Sequence, residues 1–493
     1  MLTSPLSLIL PLAVTLLPST VTALIDPSTF KSSAIRTSDV VIIGGGSSGT
    51  YAAVALKRAG KSITLIEKAS RLGGHVDTFK DPGTGATFDY GVVAFANRST
   101  VTNYFSSFNE ALVPFSQFSS GQTNNYVNLN TNGQIINPLP SSIPWSDPAA
   151  VFGAILGYSA QISQYPFLTN GYDLPTTVPE DLLLPFGDFL AKYNLGAIAQ
   201  LIFTITQGLG NVLSQTTLYV FKNLPLATLN AFIGLAPPPI TSATFNTQSL
   251  YDKALSFLSP HVFLSSTILA IDRSNPLNRV LVVVSTPSGP KLIIAKKLLL
   301  AIQPKLSTLQ TEIKLPLVPE ETNLFSKFNN TYYWNFVLKN TNLPAANSYS
   351  NIDPSTPFGL PILPSSYGFT PVPSIPQPGG QPAANYTLSW FSSPSYLSDA
   401  QVKSTTLNMV NKVVTANGYA KTKTPQVVGF NAHNPFWLTV SAAAIRDGFY
   451  DKLNGLQGKR NTFWTGATFV GHDSSAIWEW SEATLLPALL AAL

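Results

Sequence analysis

Three glycines and one acidic residue near the N-terminus have a spacing that is able to hold a phosphate group. Gly44, Gly46 and Gly49 form a G-x-G-x-x-G pattern, and Glu67 stands 18 positions after the third glycine. In such a turn the first glycine permits a tight reversal, the second lets backbone N–H groups approach a pyrophosphate, and the third lets a helix pack closely on a strand. The acid accepts hydrogen bonds from ribose hydroxyl groups. We therefore predict a dinucleotide site that includes these four residues and Ser48.

Apolar segments flank this turn in the order strand, helix, strand. Residues 40–43 and 63–66 are short apolar runs that predict buried strands, and the alanine-rich residues 50–59 predict a helix between them. The N-terminus of that helix would face the phosphate anion. Because all of these elements occur in order, the sequence favours a dinucleotide site over a glycine-rich surface loop.

A second pair of glycines follows the acid and bears on the kind of dinucleotide. The run Arg71-Leu-Gly73-Gly74-His75 places two residues without side chains where backbone can approach the pyrophosphate and the flavin side of a cofactor. Arg71 is able to pair with a phosphate in a fork geometry. This run favours FAD over NAD as the cofactor.

The run from Glu67 to His75 resembles the FAD-dependent amine oxidase superfamily, in which a glycine pair follows the ribose acid. Residues 88–91 are similar to the step that leads into the substrate domain of that family, and residues 463–477 are similar to its closing motif. Ala467 stands where the family usually has an acid, and His75 stands where it usually has an arginine. The resemblance implies FAD contacts from His75, Ile268, Gly466, Ser475, Ala476 and Ile477.

One histidine of the closing motif is the candidate catalytic side chain. The resemblance places His472 where amine oxidases have one aromatic residue of the substrate cage, and the alternative is a structural histidine that caps the final helix. His261 is predicted to be structural, and for His433 a satisfied loop histidine is favoured over a side chain that reaches the cleft. For His75 a non-covalent flavin contact is favoured over a histidyl linkage. The four histidines lack zinc-ligand spacing, so we predict no metal site.

The resemblance, together with the pattern of strands and helices, predicts an α/β fold with a Rossmann-like FAD-binding domain of the amine oxidase type and an inserted α+β substrate domain. Segments 262–273, 279–286 and 291–302 are similar to the strand, hairpin and return strand of that FAD-binding domain. Two excursions interrupt the cofactor domain, so we expect one composite substrate domain with its cleft against the flavin ring. The predicted boundaries are 24–98, 245–310 and 450–493 for the FAD-binding domain and 99–244 and 311–449 for the substrate domain.

Composition narrows the class of protein. The chain has 493 residues, which is enough for two domains, and only 11% of them are charged. The absence of cysteine excludes disulfides, thiolate metal sites and a cysteinyl-linked flavin. The net charge of +5 is spread along the chain without a dense basic run, so we predict no nucleic-acid partner.

The first 23 residues predict a signal peptide. Residues 8–17 form an apolar run that is too short to span a bilayer, and Val21-Thr22-Ala23 fits the small-residue cleavage rule. We therefore expect a secreted protein, cleaved near Ala23, without a stable membrane anchor. Asn97, Asn329 and Asn385 begin glycosylation sequons and are the candidate glycosylation sites.

The leader, the absence of cysteine and the Gly-Gly-His variant of the glycine pair together resemble the fungal β-cyclopiazonate dehydrogenase family. That resemblance implies hydride removal from a hydrophobic small molecule, a secondary metabolite, by dehydrogenation or oxidative cyclisation. The electrons would pass to oxygen or another acceptor. Three alternatives stay open at this point: a flavin amine oxidase, a flavin-dependent double-bond isomerase, and a non-catalytic secreted protein that carries FAD.

Overall fold

The computed structural model describes residues 25–115, 123–372 and 386–493. The predicted signal peptide and the sequon at Asn385 lie outside these ranges. The strands are β1 (Ile35–Ile43), β2 (Ile63–Ile66), β3 (Thr78–Lys80), β4 (Thr87–Asp89), β5 (Leu112–Pro114), β6 (Thr123–Val127), β7 (Ile240–Ser242), β8 (Val262–Phe263), β9 (Thr267–Asp272), β10 (Val280–Thr286), β11 (Gly289–Leu300), β12 (Asn329–Asn330), β13 (Tyr332–Lys339), β14 (Asn347–Asn351), β15 (Ser365–Pro371), β16 (Tyr386–Ser393), β17 (Gln426–Ala432), β18 (Leu438–Thr439) and β19 (Thr462–Trp464).

The helices connect and cover these strands. They are α1 (Ser47–Arg58), α2 (Ser99–Ser106), α3 (Pro148–Ile162), α4 (Glu180–Leu183), α5 (Phe186–Lys192), α6 (Ala199–Ile205), α7 (Thr217–Asn223), α8 (Leu226–Phe232), α9 (Gln248–Leu258), α10 (Pro319–Phe325), α11 (Asp399–Ala416), α12 (Ala442–Arg446), α13 (Phe449–Asn454), α14 (Ala467–Val470), α15 (Ser474–Trp480) and α16 (Leu486–Ala491). Within the described ranges, no helix is both long and apolar enough to cross a membrane.

The first large sheet has the strand order β8-β2-β1-β11-β10-β9, and β19 also pairs with β11. Strands β8, β2, β1, β11 and β19 run parallel to one another, whereas β10 is antiparallel to both β9 and β11. Four fully buried or nearly buried residues at 40–43 form the centre of β1, as the apolar run predicts. The carboxyl end of β1 therefore meets the start of α1, where ligands bind in open α/β sheets.

The predicted strand at 262–273 is divided in two. Its first part, β8, pairs with β2, and its second part, β9, pairs with β10. Ser265 has a φ of +48° between them, and its N–H donates to the carbonyl oxygen of Ala69. The break moves the chain from one edge of the sheet to the other, which a continuous apolar pattern does not reveal.

The second large sheet has the order β17-β13-β16-β15-β14-β6. Strand β6 comes from the first excursion of the chain and pairs in parallel with β14 from the second. Alternate residues of β13 face opposite sides: Trp334 and Phe336 pack in a core with α11, while Tyr333 and Asn335 line a cavity. The sheet thus presents one face to a helix and the other to the cavity. The domain boundaries stay a prediction.

Candidate functional site

The glycine turn joins β1 to α1 with no room for side chains. Gly44 has a φ of +104°, and a Cβ atom there would lie 2.6 Å from the carbonyl oxygen of Ala301. A Cβ atom on Gly49 would overlap the carbonyl oxygen of Gly44. The first and third glycines of the motif therefore permit the turn and the close packing of α1 on the sheet.

The N-terminus of α1 offers free backbone donors. Gly46 is the N-cap residue, and among the described residues no side chain caps this 12-residue helix. The first N–H groups of a helix have no partner within it, and they carry the positive end of the helix dipole. Ser47 and Ser48 of this first turn line the cavity. This end of α1 is suited to an anion such as a pyrophosphate.

Glu67 lies at the carboxyl end of β2 and lines the same cavity. Its Oε2 accepts from the N–H of Gly45 at 2.6 Å, and its Oε1 accepts from the N–H of Ala69 at 2.7 Å. These bonds fix the carboxylate, and each oxygen keeps a lone pair for a further donor. The geometry suits the predicted contact with ribose hydroxyl groups.

The second glycine pair lies directly against the first turn. The N–H of Gly73 donates to the carbonyl oxygen of Gly45 at 2.9 Å, and a Cβ atom on Gly74 would lie 2.9 Å from Cα of Gly46. Two backbone segments therefore meet without intervening side chains. Gly46, Gly73 and Gly74 all line the cavity, so they leave its floor as bare backbone.

Arg71 is held by protein groups in this structure. Its Nη2 donates to Oδ1 of Asp77 at 2.7 Å, and its Nη1 donates to Oε1 of Gln248 at 2.9 Å. The guanidinium lines the cavity, but these bonds direct it toward the segment after the glycine pair. Its role as a phosphate ligand stays a prediction.

The cavity has a volume of about 1780 Å³. Small-molecule sites usually occupy roughly 300–1,000 Å³, so the space is sufficient for a dinucleotide and a second molecule. Its wall falls into two parts, which we call the charged half and the uncharged half. The charged half consists of lining residues from 43–98, 266–313 and 466–477, and the uncharged half of those from 113–245 and 333–436.

The C-terminal motif contributes several residues to the charged half. Ile268, Gly466 and Ile477 line the cavity as expected from the resemblance. Ser475 and Ala476 are not among the described residues of the wall, and Ser474 takes their place. The FAD contacts of Ser475 and Ala476 stay a prediction.

The direction of the first turn of α15 explains why Ser474 lines the cavity and Ser475 does not. Ser475 is fully buried, and its Oγ accepts from the N–H of Ala96 at 2.9 Å, on the side of the segment before α2. Asp473 caps the helix by accepting from the N–H of Ser475 at 2.8 Å. Ser474 instead faces the glycine turn, where its Oγ lies 2.9 Å from Oγ of Ser47.

Three of the four histidines meet in the cavity wall. His75 and His433 are in edge contact, with ring centroids 4.2 Å apart, and His472 is stacked parallel to His75 at 6.4 Å. Phe436 packs against His472 at 4.3 Å. The less favoured alternative for His433, a side chain that reaches the cleft, is the one that the structure shows. His261 is not among the described wall residues.

Burial keeps two of these histidines uncharged. Burial, with a smaller contribution from the neighbouring His433, lowers the pKa of His472 to about 3. Burial also holds the pKa of His75 well below its ordinary value, and His433, His472 and Arg71 add to this effect. At neutral pH both rings are therefore neutral imidazoles, which are able to accept or donate one hydrogen bond at each nitrogen. The catalytic role of His472 stays a prediction.

The uncharged half contains aromatic and amide side chains that sequence analysis missed. Tyr333 donates from its hydroxyl to Oε1 of Gln207 at 2.7 Å, and the hydroxyl of Tyr367 accepts from the N–H of Gly208 at 3.0 Å. Trp390 donates from Nε1 to the carbonyl oxygen of Tyr90. The alternation of residues in β13 was the signal that pointed to Tyr333, but it does not tell which face meets a cavity. Trp334, Trp437 and Trp464 are instead buried in the core.

The distribution of charge separates the two halves. Among the described residues that line the uncharged half, none is Asp, Glu, Lys or Arg. The charged lining residues are Glu67, Lys68, Arg71, Asp89, Arg98, Glu312 and Asp473.

Two of the three predicted glycosylation sites lie within the described residues. Asn97 is exposed at the edge of the cavity, and Asn329 is exposed in β12. Glycosylation at either residue stays a prediction. In the described part of the chain, no group of three or more His, Cys, Asp or Glu side chains has a metal-binding arrangement.

Known proteins are similar in sequence to this chain along most of its length. The NAD(P)-binding Rossmann-like domain family matches residues 42–110. The FAD-dependent oxidoreductase oblC of Cochliobolus heterostrophus is 37% identical over 489 residues, which cover 97% of each chain. β-Cyclopiazonate dehydrogenase of Aspergillus oryzae is 32% identical over 450 residues, which cover 91% of this chain and 92% of that protein.

The chain belongs to this family of FAD-dependent oxidoreductases. The resemblance stated from the sequence is therefore confirmed, and the enzyme uses FAD as its cofactor. The bare backbone of the glycine segments, the uncapped start of α1 and the fixed carboxylate of Glu67 fit such a dinucleotide.

Solved structures confirm the fold class. A fatty acid isomerase from P. acnes has a TM-score of 0.70 at 19% identity, covering 91% of this chain and 98% of its own. Putrescine oxidase has a TM-score of 0.62 at 14% identity, covering 92% of this chain and all of its own. The enzyme thus has the α/β architecture of the amine oxidase type.

Proposed function

We propose that this enzyme removes a hydride from a neutral, hydrophobic small molecule, a secondary metabolite, outside the cell. The observation that carries the proposal is the uncharged half of the cavity. A substrate there contacts aromatic rings, aliphatic side chains and amides, without a formally charged lining group among the described residues.

This wall disfavours a charged substrate. Removing an ion from water is costly unless the protein supplies a partner of opposite charge. A diamine or a carboxylic acid would find no such partner in the uncharged half, whereas a neutral compound would lose little by entering it. The proposal therefore favours dehydrogenation of a neutral metabolite over oxidation of a charged amine.

The names of the relatives support the reaction type. One is called β-cyclopiazonate dehydrogenase and another an FAD-dependent oxidoreductase. Both names describe removal of hydrogen or electrons from a substrate. For this chain we extend them only to the class of substrate that the uncharged wall suits.

The division of labour follows from the two halves. FAD, when bound, supplies the acceptor for the hydride. Residues of the charged half hold the cofactor, and the rings of His472 and Phe436 border the space beside the glycine pair. The uncharged half orients the substrate and keeps water away, and oxygen or another acceptor would then take the electrons.

Secretion is part of the same proposal. The apolar leader and its small-residue cleavage site support it, together with the exposed sequons at Asn97 and Asn329. Expression of the full chain in a fungal host should release a protein whose N-terminus is Leu24. Retention of the uncleaved chain inside the cells would contradict this part of the proposal.

The first experiment is an absorbance spectrum of the purified protein before and after denaturation. Flavin released into the supernatant is expected, whereas yellow colour in the pellet would indicate a covalent link.

The second experiment compares a neutral with a charged compound. Anaerobic loss of the flavin colour is followed with indoline, which is neutral and has a C–H next to nitrogen, and with the dication putrescine as the charged compound. Faster bleaching by neutral compounds supports the proposal, and bleaching only by putrescine contradicts it. A product formed without oxygen consumption would identify an isomerase, and a flavin that no compound reduces would favour a non-catalytic role.

A further inference from the structure

A buried carboxylate meets one of the cavity histidines beside the glycine pair. Oδ2 of Asp77 lies 3.1 Å from Nε2 of His433, and the side-chain amide of Asn335 lies 2.9 Å from the same nitrogen. Asp77, Asn335 and His433 are 4%, 2% and 3% exposed. Asp77 and Asn335 carry no signal in the sequence, because Asp77, Asn335 and His433 come from separate parts of the chain.

The positions of these atoms determine where the proton of His433 lies. Nε2 cannot both accept a proton from the Asn335 amide and donate one to Asp77. Oδ2 of Asp77 and Oδ1 of Asn335 have no other hydrogen-bond partner among the described residues. When Nε2 carries the proton and the Asn335 amide presents its oxygen, the single N–H faces both orphaned oxygens and is shared between them as a bifurcated hydrogen bond. Nδ1 of His433 then carries the lone pair.

The carboxylate is held firmly in this position. Its Oδ1 accepts from Nη2 of Arg71 at 2.7 Å and from Nδ2 of Asn431 at 2.5 Å. In the sheet, Asn335 of β13 is directly opposite Asn431 of β17, two residues before His433. Strand pairing and the ion pair with Arg71 therefore fix both members of the dyad.

We propose that His433 is the base that takes the proton of the substrate, and that Asp77 is the residue that positions it. In the dehydrogenation of H–C–N–H, the hydride leaves carbon for the flavin, the N–H proton moves to Nδ1 of His433, and a C=N bond forms. Two electrons leave with the hydride, so atoms and charge balance. Asp77 then faces the imidazolium and stabilises it, as a buried carboxylate does beside a catalytic histidine. The role of His433 rests on the proposed function.

The titratable groups around His433 make it the favoured acceptor of the substrate proton. His75 is in edge contact with it, and His472, Tyr333 and Arg71 complete the titratable surroundings. His75 and His472 have lowered pKa values, and burial raises the pKa of Tyr333 well above its ordinary value. Of the three cavity histidines, only His433 has a carboxylate at its ring in the described structure.

The first test needs no substrate. The chain has four histidines, so a nitrogen-15 NMR spectrum of the holoenzyme contains only four imidazole rings, which single His→Gln variants assign. We expect a proton on Nε2 and a lone pair on Nδ1 for His433. In the Asp77→Asn variant the new amide is able to donate to Nε2, so the proton should move to Nδ1. A wild-type ring with the proton on Nδ1, or a ring unaffected by Asp77→Asn, would overturn the dyad.

The second test separates catalysis from binding. With indoline or the neutral compound that bleaches the flavin fastest, His433→Gln should slow anaerobic flavin reduction by about 10²- to 10⁴-fold while the dissociation constant of the compound is unchanged. Asp77→Asn should reduce the same rate and flatten its pH profile. His261→Gln, outside the cavity, is the matched control. Unchanged reduction rates in His433→Gln would overturn the base, whereas absence of reduction in the wild type would contradict the proposed function and leave the NMR result to decide the dyad.

Discussion

The two halves of the cavity differ in charge and in how the chain builds them. The charged half starts from one continuous segment, in which the residues from Gly44 to His75 surround the start of α1. The uncharged half combines strands and helices of both excursions, and it has no formally charged lining residue within the described ranges. A fixed cofactor calls for local, rigid backbone, whereas the substrate wall can be assembled from side chains of distant segments. Changes in the two halves should therefore have different consequences.

The most severe change is expected in the glycine turn of the charged half. Gly49→Val introduces a Cβ atom that overlaps the carbonyl oxygen of Gly44, so α1 has to move away from the sheet. We expect a loss of roughly 3 kcal/mol or more in the free energy of unfolding and loss of bound flavin. Chemical denaturation and the ratio of flavin to protein absorbance measure both effects.

Gly153→Ala in α3 is the control for that change, because a Cβ atom there has open space and Ala is the better helix former. It should leave the flavin content unchanged and raise stability by up to about 1 kcal/mol. Equal flavin content in Gly49→Val and the wild type would contradict the claim that the charged half depends on this turn to bind the cofactor.

A smaller effect is expected when the charged half keeps its backbone but loses one charge. Glu67→Gln removes the ionised acceptor at the end of β2 and weakens the bonds from Gly45 and Ala69. FAD should bind about 10- to 100-fold more weakly, because hydrogen bonds to a charged group contribute roughly 1.5–3 kcal/mol. Titration of the apoprotein by flavin fluorescence measures the dissociation constant. Glu312→Gln, in an exposed ion pair with Lys68 at the same cavity, should change it little.

A charge placed in the uncharged half tests whether this wall selects neutral substrates. Gln200→Glu keeps the size of a wall residue of α6 and adds a carboxylate. Neutral compounds should bind about 10-fold more weakly, while cationic amines such as putrescine should gain affinity. Half-saturation of flavin reduction by the two kinds of compound measures the change. Gln164→Glu on the exposed surface is the matched control, and an equal effect of both variants would contradict the assigned role of the uncharged wall.

The smallest effect concerns stability in acid. The folded-state pKa of His472 is about 3 and its ordinary value is 6.5, so the unfolded chain binds the extra proton between these values. Stability should therefore fall as the pH decreases from 6.5 toward 3. From pH 6 to pH 5 the wild type should lose up to about 1 kcal/mol more than His472→Gln. Denaturant unfolding at both pH values tests this, and comparison with the variant removes the opposite contribution of Asp89, whose pKa burial raises to about 6. Parallel losses in both proteins would show that His472 is protonated in the folded state.

The glycine turn, α1, β2 and the acid that follows β2 could all be predicted from the amino-acid sequence. These features depend on neighbours in the chain: a residue without Cβ, an apolar run and a carboxylate at fixed spacing have local physical consequences. The family resemblance then supplied FAD and the fold class, which the relatives confirm. The direction of a helical turn is not contained in the residue pattern: in the first turn of α15 it is Ser474 that lines the cavity, while Ser475 is buried.

Which distant residues share the cavity became visible only in the folded chain. Asp77, Asn335 and His433 meet because the register of β13 and β17 sets Asn335 opposite Asn431 and brings His433 toward the glycine pair. A shift of that register by one residue would turn these side chains to the opposite face of the sheet. The packing of the whole sheet against α11 and the cofactor-binding core fixes the strand register. The register therefore cannot be derived from the spacing of residues along the chain.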